Sequence, residues 1–151
     1  EWLKEHLRMQ IAFQLTQLLI LKIYKMNLKN KKVVITGATG GIGHSLVETF
    51  YTQGSIIFAT GTNETKLENL KKRFVKIRSE KFNLSDHEKI EGLIDKIDKE
   101  IEGIDILVNN AGITLDNLSI RLTEENWKKV IDINLTSTFF MCKFQSYTLI
   151  K

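Results

Sequence analysis

The sequence predicts an α/β fold, a doubly wound parallel sheet, on three observations. Short apolar runs alternate with helical patterns along residues 32–131, the order expected of strand–helix–strand units. The runs are continuous in polarity, as in Ser55-Ile56-Ile57-Phe58-Ala59-Thr60, which is how strands covered on both faces read. The first of them, Lys32-Val33-Val34-Ile35, leads straight into Thr36-Gly37-Ala38-Thr39-Gly40-Gly41-Ile42-Gly43, a glycine-rich turn placed to open a helix against an anion.

The elements follow in order. A first strand over residues 33–36 is followed by a helix over about 41–53 that turns Leu46, Val47 and Phe50 inward. Residues 55–60 form the second strand. Asn63 is placed to cap the next helix, whose Leu67 and Leu70 face the core. A third, weaker strand lies within 75–82. Ser85 and Glu88 have the spacing of a capping box, and Ile90, Leu93, Ile94 and Ile97 then repeat at helical spacing. Residues 104–108 read as a fourth buried strand. Thr123, with Glu124 and Glu125 in the first turn, starts a last helix through Trp127, Val130 and Ile131.

Composition narrows the function. The chain has 151 residues and is 42% hydrophobic, enough for one domain with a core. Its net charge is +4, of which residues 1–25 carry +2: Lys4, Arg8, Lys22 and Lys25 against Glu1 and Glu5. The remainder is spread over solvated lysines, which argues against a nucleic-acid partner. The single cysteine, Cys142, excludes an internal disulfide and a cysteine-based metal site and fits a cytoplasmic location. Proline is absent, where average usage would give about seven. Residues 1–25 carry an apolar helical face (Ile11, Leu15, Leu18, Leu19) broken by Lys22 and Lys25, too short a run for a membrane span. They read as an extension of uncertain origin, with 26–143 as the nucleotide-binding domain and 144–151 as a divergent tail.

Two motifs carry chemistry. In the glycine turn, Gly37 allows the tight bend, Gly41 lets backbone approach a pyrophosphate, and Gly43 lets helix and strand pack closely. Behind the fourth strand, Asn109-Asn110-Ala111-Gly112 sets two amides and a glycine at the carboxyl end of a buried strand. Such a string is either an ordinary turn or part of the crevice where doubly wound sheets bind ligands. Asn134 falls seven residues after Trp127 and three after Ile131, which sets an amide on the buried stripe of the last helix, where it needs partners.

Together, residues 36–43 and 109–112 resemble the short-chain dehydrogenase/reductase family. The stretches 109–117 and 132–137 resemble more narrowly its 3-oxoacyl-acyl carrier protein reductases, although Gly40 and Leu115 stand where that pattern often has a basic residue. The resemblance covers about residues 27–143 and implies a Rossmann fold, truncated here after about four strands. It implies that Thr36, Gly37, Thr39, Gly41, Ile42 and Gly43 cradle the cofactor pyrophosphate and that Asn83 and Leu84 border the adenine. Asn109, Ala111 and Gly112 would steady the sheet and line the nicotinamide ribose. Asn134 matches the catalytic-site asparagine that organises a water in the proton relay. The second strand ends in Ala59-Thr60-Gly61-Thr62-Asn63, with no acid to hold the ribose of NAD. Thr62 or Asn63 could instead meet a 2′-phosphate, so NADP (NADPH) is the expected cofactor. His44 is expected to be an exposed helix residue.

The family's chemistry also needs a serine, and a tyrosine with a lysine four residues on. Tyr147 and Lys151 have that spacing, but no strand separates them from the last helix, and Asn134 stands where the serine belongs. The match is read as coincidence. The expected function is therefore NADPH-dependent reduction of a 3-oxoacyl thioester on acyl carrier protein in fatty-acid synthesis, with this chain carrying the cofactor-binding half. The alternatives are an inactive nucleotide-binding remnant, or a dehydrogenase for another ketone or alcohol. A homotetramer is expected of the full-length family member, with the fourth strand left here as an open, aggregation-prone edge; no membrane or metal is expected.

Overall fold

The computed structural model describes residues 27–150; the expectations for residues 1–25, and Lys151, lie outside them. Strands β1 (Lys32–Ile35), β2 (Ile56–Gly61), β3 (Arg78–Lys81) and β4 (Ile106–Val108) form one sheet in the order β3-β2-β1-β4. Every pairing is parallel. Val34 lies opposite Phe58 on one side and Leu107 on the other, and Phe58 lies opposite Arg78. Between and after the strands run helices α1 (Gly41–Thr52), α2 (Glu64–Arg73), α3 (Ile90–Ile101), α4 (Glu124–Ile131) and α5 (Ser137–Thr148). Among the described residues no helix is long and apolar enough to cross a membrane.

The continuous apolar strands are explained by two cores. Successive strand residues point to opposite faces, so Val33, Ile35, Ile57 and Ala59 pack with Val47 and Phe50 of α1 and Leu67 and Leu70 of α2. Val34 and Phe58 face the other way, onto Ile90, Leu93, Ile94 and Ile97 of α3 and Met141 of α5. All three apolar residues of β1 are fully buried, each contributing roughly 1.5–3 kcal/mol. Helix α2 begins as expected, with Asn63 Oδ1 accepting the Lys66 N–H at 2.9 Å. Glu64 in its first turn and Lys71, Lys72 and Arg73 in its last suit the helix dipole.

Three local expectations are corrected. The Ser85–Glu88 capping box does not form. Asn83 engages the chain first, its Oδ1 accepting from Ser85 N (3.1 Å) and its carbonyl from Asp86 N (3.0 Å), an Asx turn that competes with helix. A 3₁₀ turn at His87–Lys89 then leads into α3 at Ile90. The fourth strand is shorter than expected and half-buried, because β4 is the sheet edge with β1 as its one neighbour among the described residues; Ile104 still enters the core. Helix α4 is capped by Thr123, whose Oγ1 accepts from Asn126 N at 3.1 Å, but it has no fully buried residue and Trp127 is 57% exposed. A π turn at Asp132–Thr136 joins α4 to α5. Trp127 and Ile131 stay on one face of α4, but that face is not buried, and Asn134, inside the π turn, is exposed.

The open edge is clamped at its start. The Asp105 carboxylate accepts the Lys32 N–H at 2.8 Å and lies 3.5 Å from the Lys31 ammonium. That backbone bond first, and the lysine second, hold its pKa below the ordinary value of 3.8. A carboxyl whose pKa is lowered on folding stabilises the fold at neutral pH and loses that contribution as pH falls through the folded value. Asp105→Asn should therefore melt lower than the parent at pH 7, and the gap should close as pH drops below the carboxylate range; thermal melts across pH check this, and a gap independent of pH would refute it.

Candidate functional site

At the carboxyl end of the sheet, the chain leaving β1 is laced to the chain leaving β4. Thr36 is 1% exposed. Its N–H donates to Val108 O (3.0 Å) and its hydroxyl to the same carbonyl (3.3 Å). The hydroxyl oxygen accepts from the N–H groups of Asn110 and Ala111, both at 3.0 Å, so its one proton and both lone pairs are used. Asn110 Nδ2 donates to Thr36 O (2.9 Å) and Gly37 O (3.1 Å). On the other side, Ala38 N–H donates to Thr60 O at 2.9 Å and ties the turn to β2.

The glycines of the turn divide into two kinds. Gly37 has φ +63°, and a Cβ there would sit 2.7 Å from Ala111 Cα. A Cβ on Gly43 would collide with the Gly37 carbonyl oxygen and lie 2.8 Å from Ala38 Cα. Both are required by the protein's own packing. Gly41 is different: a Cβ there would meet no protein atom within 4 Å. It stands in the first turn of α1, where Gly40 provides no side-chain cap and no acid is present, so free N–H groups and the positive dipole end face open space.

That space is a cleft of about 400 Å³ along the ends of all four strands. Of the residues expected at a cofactor site, Gly37, Thr39, Gly41, Ile42 and Gly43 line one wall. Thr62 lies at the end of β2, Asn83 and Leu84 follow β3, and Ala111 and Gly112 follow β4. Among the described residues no ionisable side chain lines the cleft, so its polarity comes from backbone groups, amides and threonine hydroxyls. The fit to a dinucleotide rests on this arrangement. An uncapped helix start suits a pyrophosphate, while Ile42 (75% exposed) and Leu84 offer apolar contact, and β2 ends without an acid.

Three expected site residues do not line the cleft. Thr36 lies beneath the turn, its hydroxyl consumed as above. Asn109 points away, its Nδ2 3.3 Å from Cys142 Sγ on α5. Asn134, expected as a buried amide, is exposed and pairs with the backbone of Ile113: its Oδ1 accepts from Ile113 N (2.8 Å) and its Nδ2 donates to Ile113 O (2.9 Å). The residue that sequence reasoning missed is Asn110. A doubled asparagine does not say which amide turns inward; the strand alternation carried through Val108 was the available signal. His44 is not simply exposed, since its ring packs against Phe74 and its Nε2 lies 3.5 Å from Arg73 Nη1. Tyr147 stacks edge-on to Phe144 at the end of α5, away from the cleft lining.

The two kinds of glycine should separate experimentally. Gly43→Ala is expected to cost about 1–3 kcal/mol or more by overpacking, and Asn110→Ala about 1–3 kcal/mol by taking the side-chain donor from the Thr36 carbonyl, while Gly37 O keeps its bond from Gly40 N–H. Gly41→Ala should leave the melting temperature unchanged or raised, while weakening binding of a pyrophosphate-bearing nucleotide. Thermal melts of the three variants decide it; equal destabilisation by Gly41→Ala and Gly43→Ala would contradict the division.

Comparison with known proteins agrees with this geometry. The family model described as short chain dehydrogenase matches residues 31–151. The chain is 37% identical over 119 residues to 3-oxoacyl-acyl carrier protein reductase FabG of Escherichia coli K12, covering 78% of this chain and 49% of that protein. It is 44% identical over 118 residues to the FabG of Rickettsia conorii (77% and 47%). It is 35% identical over 125 residues to Nodulation protein G of Rhizobium sp. strain N33 (82% and 51%). Among solved structures, a short-chain dehydrogenase/reductase (glucose/ribitol dehydrogenase) from Brucella melitensis superposes with a TM-score of 0.75 at 28% identity, covering 80% of this chain and 53% of that one. The chain thus spans about half the length of the curated relatives it matches. The family-model match over residues 31–151 and these relatives show that this chain belongs to the short-chain dehydrogenase family, and its glycine turn laced to the end of β4 on a parallel sheet ordered β3-β2-β1-β4 agrees with that.

Proposed function

We propose that this chain supplies the cofactor-binding part of an NADPH-dependent reductase that converts 3-oxoacyl thioesters on acyl carrier protein to 3-hydroxyacyl thioesters in cytoplasmic fatty-acid synthesis, the whole protein acting as a homotetramer. The observation that carries the reading is Gly41, a glycine that no protein contact requires, at the uncapped start of a helix facing a cleft. The substrate class is supported by the reductase relatives.

In this reading the backbone amides at Gly41, Ile42 and Gly43 bind the pyrophosphate, with Thr36 and Asn110 holding the turn from below. Asn83 and Leu84 border the adenine, and Ala111 and Gly112 line the nicotinamide ribose. The chemistry that a nicotinamide held there would supply is hydride transfer to the substrate carbonyl. Asn134 orders the loop at Ile113 and serves the proton relay as a positioning residue. At the adenosine end, Thr62 meets the 2′-phosphate; Asn63 has committed its side-chain oxygen to the α2 cap.

One observation favours a second reading. Among the described residues no ionisable side chain lines the cleft, which fits binding of the nucleotide without turnover. Titration with NADPH and NADH, followed by an assay of NADPH oxidation with a 3-oxoacyl thioester, separates the two. NADPH binding tighter by about tenfold or more, a difference of roughly 1.4 kcal/mol, is expected. Comparable affinities would sink the NADPH preference. Thioester-dependent oxidation marks a reductase, whereas binding without oxidation marks a nucleotide-binding protein.

A further inference from the structure

We propose that Thr39 determines which residue can stand at position 61, and through it which nicotinamide cofactor the cleft accepts. The inference rests on the reading of the cleft as a nicotinamide-dinucleotide site.

Gly61 is the last residue of β2, paired with Lys81 of β3 and lining the cleft. It is not among the glycines with positive φ, so its backbone would accept any L residue; what it lacks is space. A Cβ at Gly61 would lie 2.9 Å from both Thr39 Oγ1 and Thr39 Cγ2, and 3.4 Å from Thr39 Cβ. The two segments cannot drift apart to make room, because the Ala38 N–H to Thr60 O bond at 2.9 Å joins their immediate neighbours.

Rotation of Thr39 does not help. Two of the three staggered positions on its Cβ face Gly61, and a threonine fills two of the three with heavy atoms. Every rotamer therefore keeps at least one γ atom against position 61. Serine, with one γ heavy atom, has a rotamer that clears both positions, and alanine clears them always. An acid at the end of β2 is what this kind of fold uses to hold the ribose 2′-hydroxyl of NAD. While Thr39 stands, position 61 holds no side chain, and the end of β2 stays small and uncharged beside Thr62. Thr39 thus acts on cofactor choice through its neighbour as a specificity-determining residue.

A double-mutant cycle on the full chain tests this with two readouts. The first is melting without nucleotide: Gly61→Ala should lower the melting temperature in the parent, and much less in a Thr39→Ser or Thr39→Ala background. The second is affinity for NADH and NADPH. Gly61→Asp alone should gain no NADH affinity, while Thr39→Ala with Gly61→Asp should bind NADH about tenfold or more tighter than the parent and NADPH more weakly. Equal losses from Gly61→Ala in both backgrounds would overturn the steric coupling. Tight NADH binding by Gly61→Asp alone, or none by the double variant while the parent binds NADPH, would overturn the role in cofactor choice. Failure of the parent to bind either nucleotide overturns the cofactor reading and that role with it, while the melting cycle still judges the packing.

Discussion

The Thr36 hydroxyl holds together the two chain segments on which the whole cleft depends. It bonds Val108 O, Asn110 N and Ala111 N at once, and Asn110 returns two bonds to the carbonyls of Thr36 and Gly37. β1 and β4 are far apart in sequence, and their parallel pairing covers only three positions. The lacing extends that pairing past the strand ends, where the backbone would otherwise be left to water. It also fixes the Gly37 carbonyl against which Gly43 packs, and so sets the angle at which α1 leaves the turn.

The fold above which this lacing sits is a consequence of strand alternation. Because β1 is buried on both faces, its consecutive residues feed two different cores, one under α1 and α2 and one under α3 and α5. That burial anchors the strand while its carboxyl end carries the glycine turn. The free N–H groups of α1 then face a cleft whose other walls come from the ends of β2, β3 and β4. The result is a cleft whose polarity comes from backbone and amides, with no ionisable side chain among the described residues that line it.

Much of this was legible in the sequence. Apolar runs and helical periodicity located the strands and the inward residues Val47, Phe50, Leu67, Leu70, Ile90 and Ile97, because burial sets those patterns directly. Asn63 and Thr123 were legible as caps for the same local reason. What escaped depended on contacts distant in the chain or on competition between nearby ones. The Asn83 turn displaced the Ser85 capping box, and α4, whose stripe was to carry Asn134 inward, buries none of its own residues. The choice between Asn109 and Asn110 rests on a pairing with Thr36 more than seventy residues away. Similarly, the sequence marks every glycine alike, and only the neighbours of each Cβ distinguish Gly41 from Gly43 and Gly61.

The central claim is that the turn of residues 37–43 is the phosphate-binding wall of a dinucleotide site. Backbone amide chemical-shift mapping of the chain during an NADPH titration tests it most directly. The expected result is that the largest shifts fall on Gly41, Ile42 and Gly43, with smaller ones at Thr62, Leu84 and Gly112 and none along the outer faces of α3 and α4. Saturable shifts centred on any other surface, with the amides of the turn unmoved, would contradict it.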